Sequence, residues 1–444
     1  LPDSSPTRRT AALLGLLTAC AALILFLPPP TRGQDPYEAA EVVLHQRSGD
    51  TYLRLYALTR SRDLLERAAA HYLLAQERGA DDLQTSTSLA VALHETGQEA
   101  RARRQLADAA LRARLRDQEH LKAVLRLLMP RPAARDEIAS VRPLVADLPA
   151  GWLALASAYA RIGEVDLAER ERAAARDQAL ALVPRLVAML SICGALLLLG
   201  LVYLALGLLR LFARRLQPPQ GAPLPPWGLR AALEALLLAA AANLALHALL
   251  LRLLGERADA APVVILPTLA SLGAAIAWLS FVSGRPLQLG WNLRHPGRQL
   301  LAGVAAAGLA ALPLLLLHQY LQDLAGPYRK VHALTHLFVL ETGVPNRVWL
   351  ALAACLIVPA VEETLFRRLL YGSLRRRWSV LPAAALSSSV FAALHLSLPG
   401  FLPYLAIGLL LCCLYERYAS LLAPAAAHGA LNAFSLAILL PLLT

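Results

Sequence analysis

Beyond residue 180 the chain reads as long apolar runs separated by short polar or basic breaks. Runs near 185–209, 229–250, 261–282, 299–317, 348–369, 380–398, 401–415 and 421–443 are each roughly 15–25 residues long. That is the length a helix needs to cross a hydrocarbon core about 30 Å thick. A further run, Ala11–Leu27, is preceded by Arg8 and Arg9 and followed by "PPPTRG" rather than a small-residue cleavage site, which predicts an uncleaved anchor. Residues 34–177 differ: they are polar, rich in Ala, Leu, Arg and Glu, with apolar positions at helical spacing. The expected fold class is all-α, a polytopic membrane protein of about nine transmembrane helices with a helical domain inserted after the first. The expected divisions are an anchor at 11–27, the inserted domain at 34–177, first membrane helices at 181–298 and a final helical group at 299–444.

The inserted domain repeats. Leu89, Ala90, Leu93, Gly97, Ala102, Leu106 and Ala109 recur as Leu155, Ala156, Tyr159, Gly163, Ala168, Arg172 and Ala175, at a constant offset (163 − 97 = 66). This is close to twice the tetratricopeptide period. The segment "WLALASAYARIGEVDLA", which begins at Trp152, resembles that repeat family. Arg172 departs from the large apolar residue usual there, and the intervening unit around Leu121–Ala134 is degenerate. The resemblance implies paired helices whose stacked surface binds a protein partner; a plain helical bundle is the alternative.

Composition and charge sharpen the picture. Hydrophobic residues make up 57% of the chain and charged ones 17%, against roughly 45–50% and about 25% in soluble domains. The net charge of +12 is carried almost wholly by arginines. Under strict alternation of the spans, Arg8 and Arg9, then Arg210, Arg214 and Arg215, then Arg285, Arg294 and Arg298, then Arg375, Arg376 and Arg377 all fall on one side. That side is expected to be cytoplasmic, which places the inserted domain outside the cytoplasm, in a bacterial inner or plasma membrane. No aromatic-interleaved basic patch or nucleic-acid motif occurs, so no nucleic-acid partner is expected. All five cysteines lie inside apolar runs without zinc-ribbon spacing and read as small apolar residues.

The stretch "VEETLFRRLLYGSLRRR", 361–377, carries ionisable groups into the sixth apolar run. Charge at bilayer depth costs several kcal/mol, so such groups face an interior cavity. Glu362, Glu363 and Arg367 lie on the sixth span, His395 on the seventh, and His428 and Asn432 share a face of the ninth at i and i+4. Successive steps of 33 residues separate Glu362, His395 and His428 (395 − 362 and 428 − 395). Each step holds a whole helix and a turn, so the groups come from different helices. The motifs "EETLFR", "FAALH" and "HGALN" follow E-E-x-x-x-R, F-x-x-x-H and H-x-x-x-N. In that order they resemble the CAAX prenyl protease and bacteriocin-processing family of intramembrane proteases, over about 299–444.

The resemblance implies an endopeptidase in which a glutamate-activated water hydrolyses a peptide bond within a helical membrane core. Its substrate would be a membrane-embedded or membrane-proximal peptide or protein. Eukaryotic relatives trim prenylated C-terminal tails; bacterial relatives process peptides or confer immunity. The implied catalytic residues are Glu362 as general base, His395 orienting the water, and His428 and Asn432 as oxyanion donors. The residue types suit these tasks: a carboxylate withdrawn from water is a stronger base, and hydrogen-bond donors stabilise a developing oxyanion. Glu363 lies about 100° around the helix from Glu362 and forms the favourable i, i+4 order with Arg367, so that pair is expected to be supporting. The choice of base rests on the family pattern more than on spacing. Pro359 removes a backbone hydrogen bond just before the glutamates and is expected to kink the helix.

Glu362, His395 and His428 are also a plausible zinc set. There is no H-E-x-x-H, and a carboxamide suits an oxyanion donor better, so no cofactor is expected and zinc is the alternative. A second pair, His332 and His336, followed by Glu341, reads as an interfacial amphipathic helix in preference to a metal site. Asn243 and His247 are assigned to helix packing. Two other classes compete: a non-catalytic scaffold, whose polar residues only pack helices, and a transporter. The latter predicts inverted repeats and interrupted helices, and no such symmetry is visible in the sequence.

Overall fold

The computed structural model describes residues 6–26, 36–112, 115–212, 219–254, 260–284, 287–325, 333–341 and 343–442. Among the described residues all regular structure is helical, and the chain divides into two compact units. One unit comprises Leu1–Gly33 with Ser191–Ala437, the other Gln34–Leu190 with Ile438–Thr444.

After α1 (Pro6–Phe26), the second unit is built of α2 (Pro36–Thr59), α3 (Arg62–Glu77), α4 (Leu83–Glu95), α5 (Glu99–Arg112), α6 (Leu115–Leu127), α7 (Arg135–Val145), α8 (Gly151–Arg161) and α9 (Val165–Leu180). The two copies of the sequence repeat fold as α4–α5 and α8–α9. Gly97 and Gly163 occupy equivalent turns with φ of 88° and 80°, a left-handed conformation that glycine adopts without a Cβ penalty. Leu89, Ala90, Leu93, Ala102 and Leu106 are buried, as are Leu155, Ala156, Tyr159 and Ala168. Arg172, the departure from the pattern, pairs at the surface with Glu169 at 2.5 Å. Trp152 stacks on Tyr56, ring centroids 6.2 Å apart, under the guanidinium of Arg60.

The membrane unit holds α1, most of α10 (Val183–Phe212), α11 (Leu229–Leu254), α12 (Ala260–Ser283), α13 (Pro296–Ala325), α14 (Ala333–Leu340), α15 (Val344–Arg375), α16 (Val380–Ala393), α17 (Phe401–Tyr418) and α18 (Leu422–Leu439). Seven of the described helices are long and apolar enough to cross a membrane, and α1 and α16 contain the shorter apolar segments. The protein is thus an all-α polytopic membrane protein. Leucines along α10 such as Leu198, Leu201 and Leu209 stay exposed, as lipid-facing side chains must.

Two helices depart from their sequence-based outlines. The seventh apolar helix was expected over 380–398; α16 has only 14 residues, about 21 Å of rise at 1.5 Å per residue. It stops because Leu396 takes a left-handed φ of 50° and the His395 ring, not a backbone N–H, bonds the Phe391 carbonyl at 2.8 Å. Helix α15 is interrupted by π-helical turns at Ala353–Ile357 and Thr364–Tyr371, on either side of Val358–Glu363. Pro359, which has no N–H to donate, is absorbed by this widening of the helix. Of the basic flanks, Arg214, Arg215 and Arg285 lie outside the described residues.

Candidate active site

Glu362, Glu363 and Arg367 lie on or beside the wide turns of α15. Glu363 and Arg367 point inward and are essentially inaccessible, at 0% and 1% side-chain exposure. Glu363 Oε2 lies 3.0 Å from Arg367 Nε, one turn along. Its other oxygen, Oε1, accepts from His428 Nδ1 on α18 at 3.0 Å. The opposite ring nitrogen, Nε2, faces Glu362 Oε2 across 3.7 Å, too long for a direct hydrogen bond. Glu362 keeps 27% of its side chain exposed. Its Oε2 atom is nonetheless buried and without a hydrogen-bond partner. One imidazole therefore stands between two adjacent carboxylates, bonded to the inner one and facing the outer.

Helix α18 reaches α15 because Gly429 has no side chain. A Cβ there would lie 2.1 Å from the carbonyl oxygen of Cys355, in the first wide turn. Asn432, one turn beyond His428, donates Nδ2 to the Ala354 carbonyl in the same turn at 2.7 Å. Both polar residues of "HGALN" thus engage α15.

His395 sits in the turn that ends α16 rather than within a helix. Its contact with the cluster runs through Phe391. That ring packs on His395 at 4.6 Å and on His428 at 5.8 Å, and the Arg367 guanidinium lies 4.6 Å above it. The bond from Nδ1 to the Phe391 carbonyl fixes the His395 tautomer, leaving Nε2 as an acceptor. The structure therefore gathers Glu362, Glu363, Arg367 and His428 in one charged cluster, with His395 one ring away and Asn432 one helical turn away.

Several participants were not legible in the sequence. Tyr404, in the first turn of α17, stacks on His395 with ring centroids 4.0 Å apart and planes 23° from parallel. Phe391 was only a motif letter, yet it touches both histidines. Arg368, buried beside Arg367, donates Nε to Gln288 O at 2.9 Å and Nη1 to Pro223 O at 2.5 Å. Glu416 accepts from Tyr371 Oη at 2.6 Å, from Arg375 Nε at 2.7 Å and from the Ala222 N–H at 2.9 Å. These last two residues fasten the segments around 221–227 and 287–291 to the basic end of α15. The available signal was a lone acid in the apolar α17 sequence "LLLCCLYERY".

Among the described residues no group of three or more His, Cys, Asp and Glu is close enough to hold a metal ion, so the proposed zinc set is not gathered as ligands. His332 and the side chain of His336 lie outside the described residues. Glu341 accepts from the Gly343 N–H at 2.9 Å, at the start of α15. His247 lies 3.3 Å from the Val263 carbonyl, linking α11 to α12.

A buried acid–histidine cluster between transmembrane helices defines a polar site inside a polytopic membrane protein. Residues 344–434, which span α15 to α18, match the family model described as type II CAAX prenyl endopeptidase Rce1-like. The CAAX-protease resemblance of the three motifs thus holds over this segment. The Bacillus subtilis (strain 168) protein named "Putative membrane peptidase YdiL" is 30% identical over 83 residues, 19% of this chain and 34% of that protein. The chain spans about a third of the length of this curated relative. No solved structure matches the chain.

Proposed function

We propose that the membrane unit is an intramembrane endopeptidase of the CAAX-protease type, using a glutamate-activated water and no metal. The observation that carries this reading is Glu362 Oε2, buried and unpartnered, 3.7 Å from His428 Nε2. A water bridging that gap would have one carboxylate oxygen as its acceptor and an imidazole beside it.

Glu362 takes a proton from the water as its oxygen attacks the scissile carbonyl carbon, forming a tetrahedral oxyanion. The same carboxyl then returns the proton to the leaving amine as the C–N bond breaks. His428 donates Nδ1–H to Glu363, so it can offer Nε2–H to the oxyanion only as an imidazolium. In that form the two carboxylates would be matched by one guanidinium and one imidazolium. Asn432 spends one N–H on Ala354 and has a second for the oxyanion. His395, acceptor at Nε2, orients the water. Glu363 and Arg367 hold His428 in place.

The same reading assigns the substrate as a membrane-embedded or membrane-proximal peptide. It assigns the helical-hairpin unit, extracytoplasmic by the arginine distribution, to binding a protein partner. The test is hydrolysis of a quenched-fluorescence peptide library by protein in liposomes, with metal analysis of the same sample. Wild type should cleave without stoichiometric zinc and Glu362→Gln should not. A Glu362→Gln protein that cleaves as fast as wild type removes the assigned base.

A further inference from the structure

A groove outside the acid–histidine cluster lies between the start of α11 and the end of α15. It has a volume of ≈ 460 Å³ and is lined by Leu229, Arg230, Leu233, Glu234, Leu237 and Arg377. The three leucines recur every fourth residue and so form one stripe along α11. Leu233 and Leu237 are each 50% exposed.

The polar end of this stripe is positively charged. Glu234 contributes a carboxylate, but it is already satisfied. Arg9 of α1 donates to it at 2.8 and 2.5 Å, Arg230 at 2.9 Å and the Trp278 indole at 3.1 Å. Two guanidinium groups, from Arg9 and Arg230, meet one carboxylate and that of Arg377 lines the same groove, a local surplus of two positive charges. The first turns of α1 and α11 open here as well, adding the positive ends of two helix dipoles.

Tryptophans fix the depth. Trp291 precedes α13 and Trp378, 45% exposed, follows α15, whereas Trp227 and Trp278 are packed inside the protein. With alternating spans Trp291 and Trp378 fall at one membrane surface, where indoles mark the headgroup level. The arginines therefore sit at headgroup depth and the leucine stripe runs from them into hydrocarbon. A soluble anion would use the cationic rim and leave the stripe unused. A zwitterionic lipid would use the stripe and leave the surplus charge unmatched. Only a lipid with a net negative headgroup uses both.

We infer that this groove is a binding site for one anionic phospholipid of the surrounding leaflet, its phosphate against Arg377 and Arg230 and an acyl chain along Leu229, Leu233 and Leu237. The inference is independent of the proposed hydrolysis. Native mass spectrometry of the full-length protein tests it, with phosphatidylglycerol and phosphatidylcholine of identical acyl chains added in turn. Wild type should retain one phosphatidylglycerol under collisional activation that strips phosphatidylcholine. Arg377→Ala should weaken that retention about fivefold, the effect of one basic side chain at a membrane surface, and Arg377→Lys should recover most of it. Equal retention of the two lipids by wild type overturns the inference, as does unchanged retention by Arg377→Ala. Complete displacement of the lipid by excess inorganic phosphate would make the groove a free-anion site and overturn it too.

Discussion

Glu362 and Glu363 are neighbours in sequence but have opposite surroundings. Glu363 is enclosed, with one oxygen hydrogen-bonded to His428 and the other held 3.0 Å from the Arg367 guanidinium as an ion pair. Glu362 is partly open, with one buried oxygen unclaimed. The residues therefore predict different losses. Replacing Glu362 by Gln removes a base without opening a buried ion pair, so peptide hydrolysis should fall more than about 100-fold while the thermal midpoint stays near wild type. Replacing Glu363 by Gln strands the buried Arg367 guanidinium, and breaking such a pair costs about 3–5 kcal/mol. Scanning fluorimetry on the two variants should separate them. Equal destabilisation would count against the division of roles.

At the scale of elements, the site depends on how closely α18 approaches the first wide turn of α15. Gly429→Ala places a methyl group 2.1 Å from the Cys355 oxygen, which the backbone cannot accept. The helices must part, at about 1–3 kcal/mol, and hydrolysis should fall although every ionisable group remains. An unchanged rate would mean that the spacing is not needed. The basic end of α15 has its own clasp. Arg368→Ala orphans the carbonyls of Gln288 and Pro223, at about 1–3 kcal/mol each if they stay dry, and limited proteolysis should then cut the 219–228 segment sooner. In the hairpin unit, burial raises the Asp50 carboxyl above its usual range although it accepts from Tyr72 Oη at 2.6 Å. A raised carboxylate pKa means that folding favours the protonated form, and that contribution is lost as pH rises through the folded value. Asp50→Asn should therefore gain stability relative to wild type as pH rises above about 4, read as a widening gap in denaturation midpoints.

For the molecule as a whole, two compact units in one chain suggest separable tasks. If the hairpin unit recruits substrate, deleting 36–177 should slow turnover of membrane substrates in cells while leaving cleavage of short peptides by the reconstituted membrane unit unchanged. Loss of both would tie the hairpin unit to the stability of the core instead.

Apolar run length, helical period and the repeat at a constant offset were enough to specify an all-helical polytopic membrane protein with paired helices between its first two apolar segments. This is because hydrocarbon thickness and the 3.6-residue turn act on consecutive residues. The three motifs likewise named the acid, the imidazoles and the carboxamide, since polar groups are rare in apolar helices and stand out. Contacts between helices were not legible. That His428 bonds Glu363 while facing Glu362, that Tyr404 stacks on His395, and that Arg368 and Glu416 anchor distant loops all depend on rotations and depths of separate helices. Those are set by close approaches such as Gly429 against Cys355 and by the wide turns of α15, which shift side-chain directions away from those of a regular helix.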